Sequence, residues 1–436
     1  MDEPTEGKTF LQIVSGVMLQ TVPSYANKIF YSLGFLSMTS LFVLIVSGTI
    51  LVLNGPNWWL TDSFGVYVRS VHLWASEAFI FFIILHLLVV FFTSGFRLSR
   101  QLTWVLGAGM FFLAMVEAEF GYGLRGDFSS QWRALQAADL YNGSGLGIFI
   151  NNLNFAQIYG IHIIVIPALI LLLLFFHYLL VRVKGIARPY RTDVNYQMVR
   201  ANHTVLFARG TVLGGVILLL AYFFSSPTIL PVTIQEVAKT DPAQFTQTLQ
   251  AEYNHTSDTA TYLDNIDPYN YDTRQVYVLD PYLVYVKETG GADVTNGAAN
   301  LISNQLDSVT TSLLRMAQSG TYEATLRNSS SSGYNPTYVT RFLADTGVLG
   351  VKAQSLGMTT DQYGMVHDEA SSMPLGAWWL TPIGFLDHTV LSNDPNQDRD
   401  GAEIIGLLML LLIAYPYIPI LNRIPDYLKV YRLIWR

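Results

Sequence analysis

The chain contains no cysteine, and only 13% of its 436 residues are charged. Without cysteine it forms no disulfide, holds no iron–sulfur cluster through thiolates and tethers no prosthetic group by a thioether. A soluble chain carries about 25% charged residues, so the scarcity of charge argues against a protein surrounded by water. Apolar residues make up 51% of the sequence and gather in runs long enough to cross a bilayer. The chain reads as an all-α integral membrane protein. Its few cations sit at the ends of apolar runs and form no basic patch, so no nucleic-acid partner is expected.

Run lengths and flanks predict six spans, at about residues 30–53, 69–93, 103–123, 158–183, 206–226 and 402–421. The link after the second span carries Arg97 and Arg100. The link after the fourth carries Arg182, Lys184, Arg188 and Arg191, and the tail carries Arg423, Lys429, Arg432 and Arg436. The positive-inside rule places these segments and both termini in the cytoplasm of a multi-pass plasma-membrane protein. Residues 1–29 lack a small-residue cleavage site and read as a cytoplasmic interfacial segment. Segment 227–400 falls on the opposite side and holds 20 Asp or Glu against 8 Lys or Arg. Its stretch Arg274–Val286 reads as strand, and the stretch 299–318 reads as amphipathic helix. It is therefore expected to fold as a mixed extracytoplasmic domain over 227–373.

Four of the eight histidines are organised. His72 and His86 lie 14 residues apart in the second span, and His162 and His177 lie 15 apart in the fourth. Either spacing is about four helical turns, or roughly 21–23 Å. Each span thus carries a histidine near each end on roughly one face. Ionisable side chains in hydrocarbon are costly and usually functional. Two such helices side by side make two stacked histidine pairs, each suited to hold a haem iron between axial imidazoles.

With these residues in place, the sequence resembles cytochrome b of the quinol-oxidising cytochrome bc complexes, most closely the short, chloroplast-type form. The similarity covers about Tyr31–Pro189 and Pro374–Pro425. Gly34 and Gly48 are 14 apart on the first span, and Gly107 and Gly121 are 14 apart on the third. These match the family's haem-contact glycines. Arg69 matches an arginine that meets a haem propionate. Trp104 with Gly107 opens the third span as in the family, Pro167 falls mid-span, and Arg182 stands five residues beyond His177.

The resemblance implies a four-helix di-haem bundle over 30–200, a fifth span over 201–226, and a motif, sixth span and tail over 374–436. It assigns His72 and His162 to an outer haem and His86 and His177 to an inner one. Both haems, b-type or modified, would be bound without a covalent link. Quinol and quinone would be the substrates, with Arg182, His203 and Arg209 at the inner site. A Rieske iron–sulfur protein, other respiratory-complex subunits, membrane lipid and a homodimer of the complex are the implied partners. The implied activity is that of the membrane subunit of a quinol:electron-acceptor oxidoreductase.

The departures from the family are equally specific. The family's Gly-Tyr-x-Leu-Pro-Trp reads Gly121, Tyr122, Gly123, Leu124, Arg125, Gly126 here. Its Pro-Glu-Trp-Tyr motif reads Gly376, Ala377, Trp378, Trp379. The glutamate that takes quinol protons in the family is therefore missing, while Trp378 and Trp379 keep aromatic walls for a quinone. Glu119, then Glu117, are the expected replacement acids. Ser32 stands where the chloroplast type has a cysteine that attaches an extra haem, so that haem is not expected. The alternative to quinol oxidation is a di-haem anchor and electron conduit with no bifurcating outer site.

Overall fold

A computed structural model describes residues 19–187, 196–259, 272–290, 305–328, 335–358 and 378–435. The interfacial segment before residue 19, together with Arg188, Arg191, Arg436, Gly376 and Ala377, lies outside the described residues. Fifteen helices matter here. In chain order they are α1 (Leu33–Asn54), α2 (Ser63–Phe92), α3 (Gln101–Gly123), α4 (Phe128–Gly143), α5 (Phe155–Lys184), α6 (His203–Phe223), α7 (Ile234–Thr240) and α8 (Pro242–Asn254). After them come α9 (Asp280–Glu288), α10 (Leu306–Ser319), α11 (Thr321–Asn328), α12 (Thr337–Asp345), α13 (Val348–Ser355), α14 (Thr381–His388) and α15 (Gln397–Ala414).

Six of these helices, α1, α2, α3, α5, α6 and α15, are long and apolar enough to cross a membrane. Their starts are written in polar caps. Asp62 accepts from the amides of Phe64 and Gly65 to open α2, Asn154 caps α5, and Asn202 caps α6. Gly55 and Gly185, both at positive φ, end α1 and α5. Helices α1, α2, α3 and α5 form a bundle. Helix α6 packs on α1 and α2, and α15 packs on α3. Outward faces carry large exposed apolar side chains, such as Phe42, Leu172 and Phe175, as lipid contact requires.

The two ends of the bundle are built differently. At one end the β1 strand (Thr21–Pro23) pairs antiparallel with β2 (Met198–Arg200). The tail folds back there, with Arg97 bound to Asp426 at 2.8 Å. Arg100 donates to the carbonyls of Lys184 and Gly185 at the same end. At the other end sits a helical unit built from α7–α13. Its core includes Phe245, Tyr277, Tyr322 and Phe342, all fully buried. Truncating Phe342 to Ala would cost about 3–5 kcal/mol.

Two sequence expectations change here. The stretch Arg274–Val286 is not strand: Gln275–Leu279 is a π-helical turn that runs into α9. Its alternating Val and Tyr mimic a strand, yet Tyr277, Val278 and Leu279 are buried in succession, and Pro281 sits in the first turn of α9. Among its described residues the insert is helical, not mixed. The link after the third span is also structured. Helix α4 buries Phe128 in the insert's core, and Gln131 exchanges two hydrogen bonds with the backbone of Val232. The amphipathic helix expected over 299–318 is present from Leu306 as α10, and its stretch 299–304 lies outside the described residues.

Candidate di-histidine sites in the bundle

The four histidines meet in two pairs, one near each end of the bundle. His72 of α2 and His162 of α5 face each other with ring centres 6.3 Å apart and planes at 73°. An imidazole nitrogen lies about 2.0 Å from a bound metal, and its ring centre about 1.1 Å further back, so two rings sharing one ion stand about 6 Å apart. The observed spacing fits a single metal between the rings. This pair lies at the insert end. His86 and His177 are electrostatic neighbours at the tail end, against Gly34 and Gly107.

Every one of the four rings rests on a glycine of the neighbouring helix. A Cβ built on Gly48 would stand 3.1 Å from Cε1 of His72, and one on Gly34 would stand 3.3 Å from Cε1 of His86. The corresponding distances are 3.2 Å for Gly107 against His177 and 2.9 Å for Gly121 against His162. Helix α1 thus supplies the glycines for the histidines of α2, and α3 supplies those for α5. A side chain at any of these positions would press on the ring, so glycine is what lets the helices approach.

The tautomers follow from the hydrogen bonds. Nδ1 of His177 lies 3.0 Å from the carbonyl of Thr103, and Nδ1 of His162 lies 3.2 Å from the carbonyl of Glu117. A carbonyl only accepts, so Nδ1 carries the proton in both rings. His72 Nδ1 sits 3.0 Å from the Ser47 hydroxyl, whose own proton goes to the Val43 carbonyl at 2.7 Å. Ser47 must then accept from His72. In these three rings Nε2 keeps its lone pair, the state an imidazole needs to bind a metal.

The unequal spacings are reconciled by a local irregularity. Fifteen residues overshoot fourteen by about 100° of helix rotation. Within α5, Ile161–Val165 is a π-helical turn, which takes up one extra residue. Pro167 follows it and has no amide proton to complete the regular ladder. His162 and His177 therefore stay in register with Gly121 and Gly107, which are 14 apart.

The insert end is also where buried charge collects. Arg69 is buried and donates to the carbonyls of Ser226 and Pro227 at 3.0 and 3.3 Å, and to the Thr228 hydroxyl. Arg125 donates to the same Pro227 carbonyl at 2.7 Å and pairs with Asp127 at 3.0 Å. Glu117 places Oε1 3.1 Å from Nδ1 of His162, and Glu119 lies 3.6 Å from Arg133. Trp379 lies against Tyr122 at 6.2 Å with the rings tilted by 44°, and the Tyr122 ring faces Arg133 at 5.3 Å. Trp378 donates its indole proton at 2.7 Å to Glu77, a buried carboxylate on α2. The sequence reading passed over Glu77, although a carboxylate five residues from His72 in an apolar run is itself a signal.

At the tail end Arg182 is exposed on the last turns of α5. His203 meets the Leu19 carbonyl at 3.0 Å, and Arg209 donates to Asn27 and Ser32. His203 and Arg209 therefore anchor the segment before α1, and their polar groups are engaged in that role. Ser32 is buried, with the Arg209 guanidinium on its hydroxyl.

Known proteins resemble parts of this chain. The family model described as cytochrome b (N-terminal)/b6/petB matches residues 77–237, a stretch that contains His86, Gly107, Gly121, His162 and His177. Cytochrome b6 of Gracilaria tenuistipitata var. liui is 27% identical over 199 residues, covering 41% of this chain and 92% of the relative. Cytochrome b6 of Heliomicrobium gestii is 29% identical over 190 residues, covering 38% and 89%. A chain of a solved hyperthermophilic respiratory Complex III aligns with a TM-score of 0.43 at 15% identity, covering 91% of this chain and 92% of that one. Over residues 77–237 this chain is similar to the N-terminal part of the cytochrome b/b6 family.

Proposed function

We propose that the chain is the di-haem cytochrome b subunit of a quinol-oxidising complex and carries electrons across the membrane between two quinone sites. The observation that carries this reading is the histidine–glycine device, repeated at two levels, with Nδ1 protonated in three of the four rings. His72 and His162 would hold one haem, and His86 and His177 the other, both without covalent attachment. Bound haem iron supplies one-electron chemistry. The chain supplies the rest. Glycine faces admit the rings, Nδ1–H bonds fix their orientation, and the apolar helices exclude water. Arg69 and Arg125 supply positive charge at the insert-end level, suited to haem propionates.

The tail end is the cytoplasmic side in this proposal, supported by Arg97, Arg100, Arg182 and Lys184. The acidic insert then lies outside and forms the surface for a Rieske-type iron–sulfur partner and for other subunits of a dimeric complex. Trp378 and Trp379 wall the outer quinol site, and Arg182 is the inner-site candidate. His203 and Arg209 act by holding the first span's entry segment in place. Protease added outside right-side-out vesicles should cut the insert; cleavage only from the inner side would overturn the topology.

The missing motif acid favours a second reading, a di-haem conduit that does not oxidise quinol. The two are separated by mixing the haem-loaded protein with a short-chain hydroquinone in a stopped-flow spectrometer. The first reading predicts reduction of both haems. Haems that dithionite reduces and hydroquinone leaves oxidised would support the conduit.

A further inference from the structure

The outer-site motif ends in two tryptophans with no acid beside them in sequence, because position 377 is alanine. In space an acid is there. Trp378 Nε1 lies 2.7 Å from Oε2 of Glu77, in the middle of the second span, and Glu77 is 5% exposed. Trp379 lies beside Trp378 at 6.0 Å and reaches Tyr122 of α3 at 6.2 Å. The tryptophan pair thus bridges α2 and α3, with a carboxylate at one side and a phenol at the other. The pair of sequence candidates is engaged elsewhere: Glu117 with His162 and Glu119 with Arg133. Neither hydrogen-bonds to Trp378 or Trp379 among the described residues.

Tying down an indole N–H needs only a neutral acceptor. A carboxylate at this depth carries a desolvation cost that a glutamine would avoid. An acid retained against that cost, at an aromatic pair suited to a quinone ring, is placed for proton chemistry. We propose that Glu77 is the proton acceptor of the outer quinol site, a role supplied from the second span in place of the motif. This rests on the quinol-oxidising reading above. Oxidation of quinol would need two one-electron acceptors, which a haem held by His72 and His162 and an external iron–sulfur centre would supply. One of the two quinol protons moves to Glu77: a quinol O–H bond breaks and a carboxyl O–H bond forms. The other leaves with the external acceptor. Glu77 then releases its proton towards the insert end, where Arg125, Asp127 and Arg133 carry the charge.

The test is Glu77→Gln in the full haem-loaded chain. Glutamine keeps an oxygen for the Trp378 indole and removes only the acid, so the fold and haem content should hold. Reduction by duroquinol should slow at least about tenfold, while dithionite still reduces both haems fully. Infrared difference spectra on duroquinol binding should show a carboxyl C=O band that Glu77→Gln lacks and that Trp378→Phe shifts. Duroquinol reduction of Glu77→Gln at the parent rate would overturn this assignment and leave the quinol reading intact. A slowed Glu119→Gln beside an unaffected Glu77→Gln would move the acid to Glu119. A parent protein that duroquinol cannot reduce, although dithionite can, would overturn the quinol reading and this proposal with it.

Discussion

His162 at the insert end and His177 at the tail end sit on the same helix, each against a glycine and each with Nδ1 on a backbone carbonyl. Around His162 there is also a carboxylate at 3.1 Å, and Arg69, Arg133 and Glu77 are buried, with Arg125 half-buried, at or near that level. Around His177 the nearby spans contribute carbonyls and apolar side chains. Among the cations of that end, Arg97 binds Asp426 of the tail, Arg100 binds loop carbonyls, Arg209 holds the segment before α1, and Arg182 is exposed. The ring-holding device is therefore common to both levels, and the buried charge is not. Buried ionisable groups in a membrane mark where protons and charged or polar substrates are handled. In the function proposed above, this difference places quinol proton chemistry at the insert end.

The largest effect that would break this comparison comes from the ligands themselves. His86→Leu or His177→Leu should remove the tail-end haem and leave the insert-end one, halving the haem-to-protein ratio in a haemochrome assay. Loss of the insert-end haem instead would reverse the assignment of levels.

Steric tolerance sharpens it next. Gly121→Ala puts a methyl 2.9 Å from the His162 ring, against 3.3 Å for Gly34→Ala and His86. Overpacking of this kind costs about 1–3 kcal/mol. Gly121→Ala should deplete the insert-end haem on purification more than Gly34→Ala depletes the tail-end one. Equal losses would mean that helix spacing does not limit either site.

Electrostatics comes third. Glu117→Gln removes a negative charge from the His162 Nδ1 hydrogen while the Glu117 backbone carbonyl still fixes the tautomer. Less negative charge favours the reduced iron, so the midpoint potential of the insert-end haem should rise and the tail-end one should stay put in a redox titration. Equal shifts at both haems would show that the carboxylate acts at long range.

The smallest effect belongs to the insert alone. Glu252 is fully buried, and burial, with Asp345 beside it, pushes its carboxyl up to about 10. The folded insert holds a proton that the unfolded chain releases near the ordinary carboxylate range. The stability linked to it is complete below about pH 4 and is lost progressively as pH rises towards 10. Glu252→Gln should flatten that decline and stabilise the insert at pH 8 relative to the parent. Hydrogen exchange across α8 and α12 at pH 6 and 8 measures it, with α5 as the internal reference. An unchanged pH slope would mean that Glu252 is ionised in the fold.

Much of the bundle was legible because its constraints are local and periodic. Spans declare themselves by run length, and the histidine and glycine registers are readable at one-residue precision. The one-residue mismatch between the 14- and 15-residue spacings was visible as well; its resolution by a π-turn before Pro167 needed backbone geometry. The insert was read less well. Val and Tyr alternate in Arg274–Val286 as in a strand, and only the packing of three successive side chains into one core shows a helix. Glu77 was missed because its partner lies 301 residues away, a distance over which sequence spacing carries no geometry. Glu117 and Glu119 attracted attention as carboxylates in the outer part of the third span, yet their nearest charged partners are His162 and Arg133.

The most direct test of the account is the haem stoichiometry and spin state of the purified full-length protein, read from haemochrome absorbance and low-temperature electron paramagnetic resonance. The histidine geometry predicts two haems per chain, both low-spin with two axial imidazoles. One haem per chain, or a high-spin signal from an iron with an open axial position, would contradict it.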